Sequence, residues 1–433
     1  MLPTETVHRH GGRMVEPGNL AWVFVAAALV LFMTPGLAFF YGGMVRAKNV
    51  LNMLMMNFWC VLVVPILWVV IGYSLSFSGT GSYLGDTGRA MLHGLTVLTG
   101  TGQTELSAMI FLCTFAAITP ALISGAVADR MKFAAWAIFV PLWSIAVYSP
   151  VTFWVAAPTG WLKERGALDF AGGTSIHVNA GIAALAVILV LGRRSGWPAE
   201  GSPPHSMPLV MLGTGILWFG WFGFNAGSAL GADGHALQAF ISTFLAASAG
   251  GLAWAVTERI REGHFTNLGV ASGIVAGLVA ITPACAYVTP GSAIGIGVAA
   301  GIICSLAISV KFRFKFDDAL DVVGVHFVGG LVGSLLIGVF SDPRATGWKV
   351  GQGNGLASKG LIAGGGWSLM SEQALANGVT MVYSFVVTFI IIKALDLLMT
   401  ARVSPDVESE GLDITQHAET AYHHAERAMG RLN

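Results

Sequence analysis

The sequence has too little charge to cover a water-facing surface. Only 11% of the 433 residues are charged, whereas soluble domains carry about 25%. Hydrophobic residues make up 55% of the chain, and the mean hydropathy is +0.71. Because most of such a surface must face lipid, the composition excludes a soluble protein and predicts an integral membrane protein.

Residues for several kinds of chemistry are also scarce. The four cysteines lie in apolar stretches, without a CxxC pair or a histidine at ligand spacing. We therefore expect small buried thiols, no metal and no cofactor. A phosphate-binding loop and a nucleophile elbow are both missing, which argues against a membrane enzyme. The 23 basic and 23 acidic residues balance, which argues against nucleic acid as a partner.

Long apolar runs are what the sequence has instead. A transmembrane helix needs about 20 apolar residues. Eleven segments qualify, which predicts an all-α membrane domain of eleven transmembrane helices over residues 20–400. The segments are 20–42, 50–77, 103–126, 133–156, 174–192, 207–229, 237–256, 267–286, 291–310, 321–341 and 374–399.

Basic residues in the connections predict the orientation, because positive charge accumulates on the cytoplasmic side. Connections after odd-numbered spans carry eleven basic residues, and those after even-numbered spans carry six. The segment 1–19, which has no apolar run typical of a cleavable signal peptide, is expected outside a cell membrane. Residues 401–433 would form a cytoplasmic tail with a helix at 413–430 capped by Asp413. A merely solvated end is the alternative.

The fifth and tenth spans carry the same signature. Asp169 precedes His177 by eight residues, and Asp318 precedes His326 by eight residues. Transporters are often built from two halves of inverted topology. We interpret the chain as an inverted five-plus-five repeat with the eleventh span as an extra helix, which would place the two histidines face to face near the middle of the bilayer.

Histidines inside a span are rare and usually functional. An imidazole takes up and releases a proton near neutral pH, so His177 and His326 side by side would be able to pass a proton along a dry path. The alternative is that each histidine is a core residue that donates to a backbone carbonyl.

Aromatic residues concentrate at the end of the sixth span, in the run from Trp221 to Ser228, and Phe111 and Phe115 lie in the third span. Aromatic faces attract cations, and a serine hydroxyl accepts hydrogen bonds from N–H groups. These residue types together indicate a cation site. An aromatic belt or simple packing is the alternative.

Two motifs are specific enough to identify a family, namely the DFAGG run before His177 and the GVH run that ends at His326. They and their surroundings resemble the Amt/Rh ammonium transporter family, and its Amt branch more closely. The similar stretches are 33–52, 115–133, 166–185, 220–230, 272–297, 317–333 and, in the tail, 410–422. The resemblance implies that the protein transports ammonium or ammonia, forms a homotrimer with one pore per subunit, and receives a PII-type signal protein at its tail.

The resemblance also implies roles for the aromatic residues. Phe115 and Phe224 look like the family's stacked gate at the pore mouth, with Phe111 and Trp221 as its supports. Ser228 looks like the hydroxyl of the outer cation site.

The remaining roles follow from the same resemblance. His177 and His326 look like the twin-histidine pair of the pore. Asp169 matches an aspartate near the outer site that is structural and electrostatic rather than a direct ligand. Asp318 and Asp321 match the acidic residues that lead into the tenth span.

Two positions depart from the family's pattern. Where the family has a tryptophan that completes the outer aromatic cage, this chain has Ala156, with Trp154 and Trp161 nearby. A cage without that wall would recruit cations less strongly. In the tail, Ala418 precedes Glu419 where a glycine is usual.

Two energies indicate how such a path would work. Moving a bare cation into a low-dielectric path costs tens of kcal/mol, whereas deprotonating an amine with a pKa of about 9–10 costs about 3–4 kcal/mol at pH 7. Ammonium is therefore expected to lose its proton behind the phenylalanines. Ammonia would then pass the histidines, while the proton is either left behind or relayed. An ammonium sensor and an Rh-like passive ammonia channel are the alternatives.

Overall fold

The computed structural model describes residues 15–199, 203–353 and 355–422. Ten helices in this part of the chain are long and apolar enough to cross a membrane, and Asn267–Ile281 is a shorter apolar helix. In chain order the helices are α1 (Pro17–Met44), α2 (Ala47–Phe77), α3 (Gly100–Val127), α4 (Phe133–Glu164), α5 (Gly173–Leu191), α6 (Met207–Gly227), α7 (Gly234–Glu262), α8 (Asn267–Ile281), α9 (Pro290–Phe314), α10 (Val323–Phe340) and α11 (Ser368–Met399). The predicted segment 1–19 lies mostly outside the described residues.

The helix α8 differs from the predicted span over 267–286. It has 15 residues, so at 1.5 Å per residue it is about 22 Å long, shorter than the hydrocarbon core of about 30 Å. The helix ends at Ile281, two residues before Pro283, which has no backbone N–H group to continue the helical hydrogen bonds. Buried turns follow up to Tyr287. Irregular backbone at membrane depth is tolerated when protein surrounds it.

Corresponding helices of the two halves pack against each other. The first helices of each half, α1 and α6, lie side by side. A Cβ on Gly213 would lie 2.3 Å from the backbone nitrogen of Phe40, so this crossing requires glycine. The helix α5 contacts the turn that carries His326, and α10 contacts the turn that carries His177. These exchanged contacts agree with the predicted inverted repeat.

Both histidine helices begin with a π-helical turn. The turns are Gly173–Val178 in α5 and Val323–Phe327 in α10. Two further π-helical turns, Trp68–Gly72 and Ser144–Tyr148, lie within α2 and α4. Such turns occur frequently at functional sites, which directs attention to the two that carry histidines.

The extra helix α11 is bonded to both halves. The Asn377 amide donates to Ser334 Oγ of α10 at 2.7 Å and accepts from Thr174 Oγ of α5 at 3.2 Å. Gln373 donates to the Leu168 carbonyl at 2.8 Å. Buried side-chain hydrogen bonds of this kind join membrane helices, so α11 holds the two histidine helices together from one side.

The connections between helices are mostly irregular. The connection between α10 and α11 contains a one-turn helix, Pro343–Thr346, and two parallel strands, β1 (Lys349–Val350) and β2 (Leu356–Ala357). The tail forms α12 (Pro405–Glu410) and α13 (Leu412–His417). We call the side on which the tail packs, which carries the connections after α1, α3, α5 and α9, the tail face.

The predicted tail helix over 413–430 is helical only at its start: α13 covers Leu412–His417, and residues 418–422 are not helical. Asp413 does not cap a helix that follows it, because it lies inside α13. Its Oδ1 instead accepts from the backbone N–H of Asn52, at the start of α2, at 2.8 Å. The helix ends at Ala418, which has φ 56°, a left-handed conformation that glycine adopts at no steric cost. This accounts for the glycine expected at Ala418. Residues 423–430 lie outside the described residues.

A buried ion network holds the tail face together. The side chains of Arg130 and Asp317 are both fully buried, 3.5 Å apart. Arg194 lies 2.9 Å from Asp317 and 3.3 Å from Asp129. Burial alone would raise the pKa of Asp317, but hydrogen bonds from Arg194 and the nearby charge of Arg130 hold it below its usual value. The network joins the connections after α3, α5 and α9.

Candidate functional site

A small cavity lies between the two halves. Nine apolar side chains and two imidazoles line it: Met33, Leu37, Ile118, Leu122, Ile176, His177, Leu217, Trp221, Phe224, Val275 and His326. Four of these were singled out in the sequence. The cavity therefore brings both predicted histidines to the same space as two of the predicted aromatic residues.

The two histidines form a direct pair. The Nδ1 atoms of His177 and His326 lie 3.3 Å apart, and the rings are 13° from parallel with centroids 5.4 Å apart. Only 1% of His177 and 3% of His326 is exposed. The backbone-carbonyl alternative does not describe this geometry, since each ring uses Nδ1 to meet the other.

Asp169 positions the first of these rings. Its Oδ2 accepts from the backbone N–H groups of Thr174 at 3.2 Å and Ser175 at 3.0 Å, and from Ser175 Oγ at 3.0 Å. These bonds cap the π-helical turn that carries His177. The other carboxylate oxygen, Oδ1, is buried without a hydrogen-bond partner among the described residues.

Asp318 holds the second turn in the same way. Its carboxylate accepts from the backbone N–H groups of Val322 at 3.1 Å and Val323 at 2.7 Å. Asp321 lies beside it, at φ 60°, and pairs with Lys311 at 2.5 Å. The three acidic residues named in the sequence thus lie outside the cavity lining. Asp169 and Asp318 hold backbone N–H groups, and Asp321 pairs with Lys311.

The aromatic residues pack together at the cavity, which Trp221 and Phe224 line. Phe115 and Phe224 are stacked with centroids 4.2 Å apart and planes 18° apart. Phe111 lies against Phe115 at 4.7 Å. Trp221 is stacked on His177 at 5.5 Å and donates from Nε1 to Thr282 Oγ at 2.9 Å. We call Phe115 and Phe224 the phenylalanine stack.

With this geometry in place, the comparisons with known proteins decide the family. The model of the Ammonium Transporter Family matches residues 21–422. The chain belongs to this family. The "Ammonium transporter" of Mycobacterium tuberculosis is 48% identical over 436 residues, which cover 94% of this chain and 90% of that protein. The "Ammonium transporter" of Bacillus subtilis is 43% identical over 412 residues, which cover 94% and 99%.

Solved structures agree with the assignment. The crystal structure of Candida albicans Mep2 has a TM-score of 0.83 at 32% identity, covering 90% of this chain and 87% of that chain. A structure described as "Sensor Amt Protein" has a TM-score of 0.84 at 28% identity, covering 92% and 98%. The eleven-helix architecture of this ammonium transporter family member is therefore that of solved family structures.

Ser228 directly follows the last residue of α6 and lies one helical turn after Phe224 of the phenylalanine stack. Its Oγ donates to the Phe224 carbonyl at 2.8 Å. A hydroxyl that donates its only proton keeps two lone pairs as acceptors. In this family member Ser228 is thus able to accept an N–H bond.

Trp154 and Trp161, the tryptophans near Ala156, pack against each other and against neighbouring aromatic residues. Trp154 donates from Nε1 to the Tyr83 carbonyl at 2.6 Å and packs on Tyr383 at 4.7 Å and Trp161 at 6.4 Å. Neither tryptophan lines the cavity. Ala156, where the cage wall was expected, ends a helical run of α4 and has no aromatic group.

Sequence reasoning missed Tyr41. Its hydroxyl lies 3.3 Å from His326 Nε2 and 3.2 Å from the Leu122 carbonyl oxygen. The available signal was a phenol inside an otherwise apolar span, within the stretch 33–52 that resembles the family. Hydropathy gave no reason to single it out, because tyrosine is also common at membrane interfaces.

Proposed function

We propose that the protein moves ammonium nitrogen across a cell membrane as ammonia, with the proton relayed by the histidine pair. The observation that carries the proposal is the 3.3 Å contact between the Nδ1 atoms of His177 and His326 inside an otherwise apolar cavity. Two imidazoles at this distance share a hydrogen bond along which a proton passes.

The substrate enters from the side of the cavity where the phenylalanine stack lies. The excess of basic residues in the connections of the tail face supports a cytoplasmic tail face, with the opposite face outside. Ammonium is attracted to the faces of Phe115, Phe224 and Trp221. Ser228 offers its lone pairs as a hydrogen-bond acceptor for the N–H groups of the cation.

Deprotonation precedes passage. Nine of the eleven side chains around the cavity are apolar, and a bare cation in such surroundings costs tens of kcal/mol. Loss of the proton costs about 3–4 kcal/mol at pH 7 for an amine-like pKa. The path that separates the proton from ammonia is therefore the cheaper one, and the relay makes the overall transport electrogenic.

Solid-supported-membrane currents on proteoliposomes test this function. An ammonium concentration step is expected to produce a current, and ammonia flux is followed in parallel from the internal pH. Flux without current would replace the relay with a passive ammonia channel. Ammonium binding with neither flux nor current would instead indicate a sensor, as the "Sensor Amt Protein" is described.

Restoring the missing cage wall should strengthen recruitment. A cation–π contact contributes about 1 kcal/mol, so Ala156→Trp is expected to lower the half-saturating ammonium concentration about fivefold. The concentration dependence of the current measures this. Ala156→Leu is the control, because it adds apolar volume without a π face. An equal gain from leucine would show that volume, and not cation attraction, is responsible.

We also propose a homotrimer with one pore per subunit and a PII-type partner at the tail. The resemblance to the family supports both proposals. The contacts of the tail with the membrane domain also support a regulatory role for it. Glu408 is buried and accepts from the Ser195 backbone N–H at 2.7 Å, from Ser195 Oγ at 3.2 Å and from Arg402 at 3.0 Å. The two bonds from Ser195 attach the tail beside the end of α5, the helix that carries His177, and the bond from Arg402 lies within the tail.

Releasing the tail should impair transport or its regulation. Glu408→Ala removes the two hydrogen bonds to Ser195, of about 1 kcal/mol each, which lowers the equilibrium constant for docking of the tail about 30-fold. Limited proteolysis after Arg402 and ammonium uptake measure the two effects, and truncation after Arg402 should match the variant. Glu410→Ala, at an exposed position, is the control. Unchanged uptake together with unchanged PII binding would refute the role of the tail.

A further inference from the structure

We propose that Tyr41 is a positioning residue that decides which ring nitrogens of the histidine pair carry protons. The inference deepens the proposed function. Its consequence for transport rests on that function. The hydrogen-bond assignment itself follows from the contacts of Tyr41, His326 and His177.

The phenol has one proton and two neighbours. The Leu122 carbonyl oxygen, at 3.2 Å, is able only to accept. His326 Nε2, at 3.3 Å, either donates or accepts according to its tautomer. A single arrangement satisfies both contacts: Tyr41 donates to the carbonyl and accepts from an Nε2–H group of His326.

The assignment propagates to the next ring. A neutral imidazole carries one proton, so His326 with Nε2–H has a bare Nδ1. That nitrogen must accept from the Nδ1–H group of His177, 3.3 Å away. His177 in turn is left with a bare Nε2.

An independent observation supports the bare Nε2 assigned to His177. His177 Nε2 is buried without a hydrogen-bond partner among the described residues. The reverse polarity would place an unpaired N–H group there, and buried N–H groups are rarely left without an acceptor. The polarity fixed by Tyr41 is thus the one that leaves a lone pair, rather than a proton, at the orphaned position.

The lone pair belongs to the ring that faces the entry side. His177 is stacked on Trp221 at 5.5 Å and lies 6.0 Å from Phe224 of the phenylalanine stack. Substrate that passes the stack therefore meets an acceptor, to which an N–H group of ammonium or ammonia donates. Tyr41 sets this polarity from the far side of the pair, with the His326 ring between it and His177.

Nitrogen-15 NMR of the full-length protein in lipid bilayers, without ammonium, tests the assignment. A cross-peak between the two rings identifies the pair, and proximity to the Trp221 indole identifies His177. The expected result is the Nδ1–H tautomer for His177 and the Nε2–H tautomer for His326. The opposite tautomers would overturn the proposal, and this measurement needs no variant.

Tyr41→Phe tests the role of the hydroxyl. Loss of one hydrogen bond should shift the tautomer ratio of both rings about fivefold toward the opposite form. The maximal ammonium current should fall by a similar factor, while the half-saturating concentration, set outside the phenylalanine stack, stays unchanged. Tyr383→Phe removes a comparable bond to the Ala146 carbonyl, at 2.8 Å, and should change neither readout.

The tautomer measurement and the transport current test the role of Tyr41 and the proposed function separately. Unchanged tautomers in the phenylalanine variant would overturn the role of Tyr41. Expected tautomers in a protein that conducts no ammonium would support the positioning by Tyr41 and refute transport.

Discussion

Replacing His177 with asparagine is expected to lower the ammonium-induced current about 100-fold while the protein still folds. The asparagine side chain is short enough to fit the site, and its N–H group is able to replace the bond to His326 Nδ1. A carboxamide does not take up a proton near neutral pH, whereas an imidazole does. The expected loss is at the lower end of the effect of positioned proton transfer, about 100- to 10,000-fold.

Currents on proteoliposomes with matched protein content measure this effect, and ammonia flux is recorded on the same vesicles. His264→Asn, at an exposed position between α7 and α8, is the control and should leave the current unchanged. Loss of current with flux retained would show that the pair handles only the proton. A His177→Asn current within about twofold of wild type, outside the range expected for positioned proton transfer, would eliminate the relay.

The second large effect concerns stability. Asp317→Asn should destabilise the protein by about 3–5 kcal/mol, because it removes one partner of a buried ion pair and leaves charge uncompensated. The side chain of Arg130 is fully buried beside it, and 11% of the Arg194 side chain is exposed. The thermal midpoint in detergent is expected to fall by about 10 °C.

Asp396→Asn provides the matched control for this variant. Asp396 pairs with Lys393 at 3.5 Å, but 49% of the lysine side chain is exposed, and exposed pairs contribute about 0–1 kcal/mol. Its thermal midpoint should stay close to that of wild type. Equal shifts for the two variants would mean that burial of the network does not matter.

Acid should act on the same network. Arg194 and Arg130 keep the folded-state pKa of Asp317 below its usual value, which is about 3.9 in an unfolded chain. The carboxylate therefore contributes its full stability above about pH 4, and this contribution is lost as the pH falls through the lower folded-state pKa. Below pH 4, stability should decline less steeply in Asp317→Asn than in wild type. Thermal midpoints measured between pH 3 and pH 7 test this difference.

Local properties of the sequence predict much of the architecture. Apolar runs located ten of the eleven membrane helices with each end within about eight residues, because span length is set by bilayer thickness and hydropathy is a sum over neighbours in the chain. The repeated eight-residue interval from aspartate to histidine revealed the two halves. That interval is local too, since Asp169 and Asp318 each cap the turn that begins their own helix.

Two predictions were wrong where contacts with distant parts of the chain overrode a local sequence pattern. The predicted span over 267–286 was too long because Pro283 has no N–H group to continue the helix, and protein surrounds the turns that follow Ile281. Asp413 was expected to cap a tail helix, since aspartate is a good N-cap. It caps α2 instead, because folding brings the tail to the Asn52 backbone, 361 positions away in the chain.

The sequence by itself determined that this protein lies in a membrane, that it is built from two inverted halves, and that each half contributes one histidine and one capping aspartate. Only the tertiary structure decided how the rings meet. His177 and His326 are 149 positions apart, and Tyr41 is 285 positions from His326. Which nitrogen faces which partner depends on the packing of helices that are far apart in sequence. Hydropathy and residue spacing carry no information about that packing. The arrangement of His177, His326 and Tyr41 in the cavity is therefore a property of the fold.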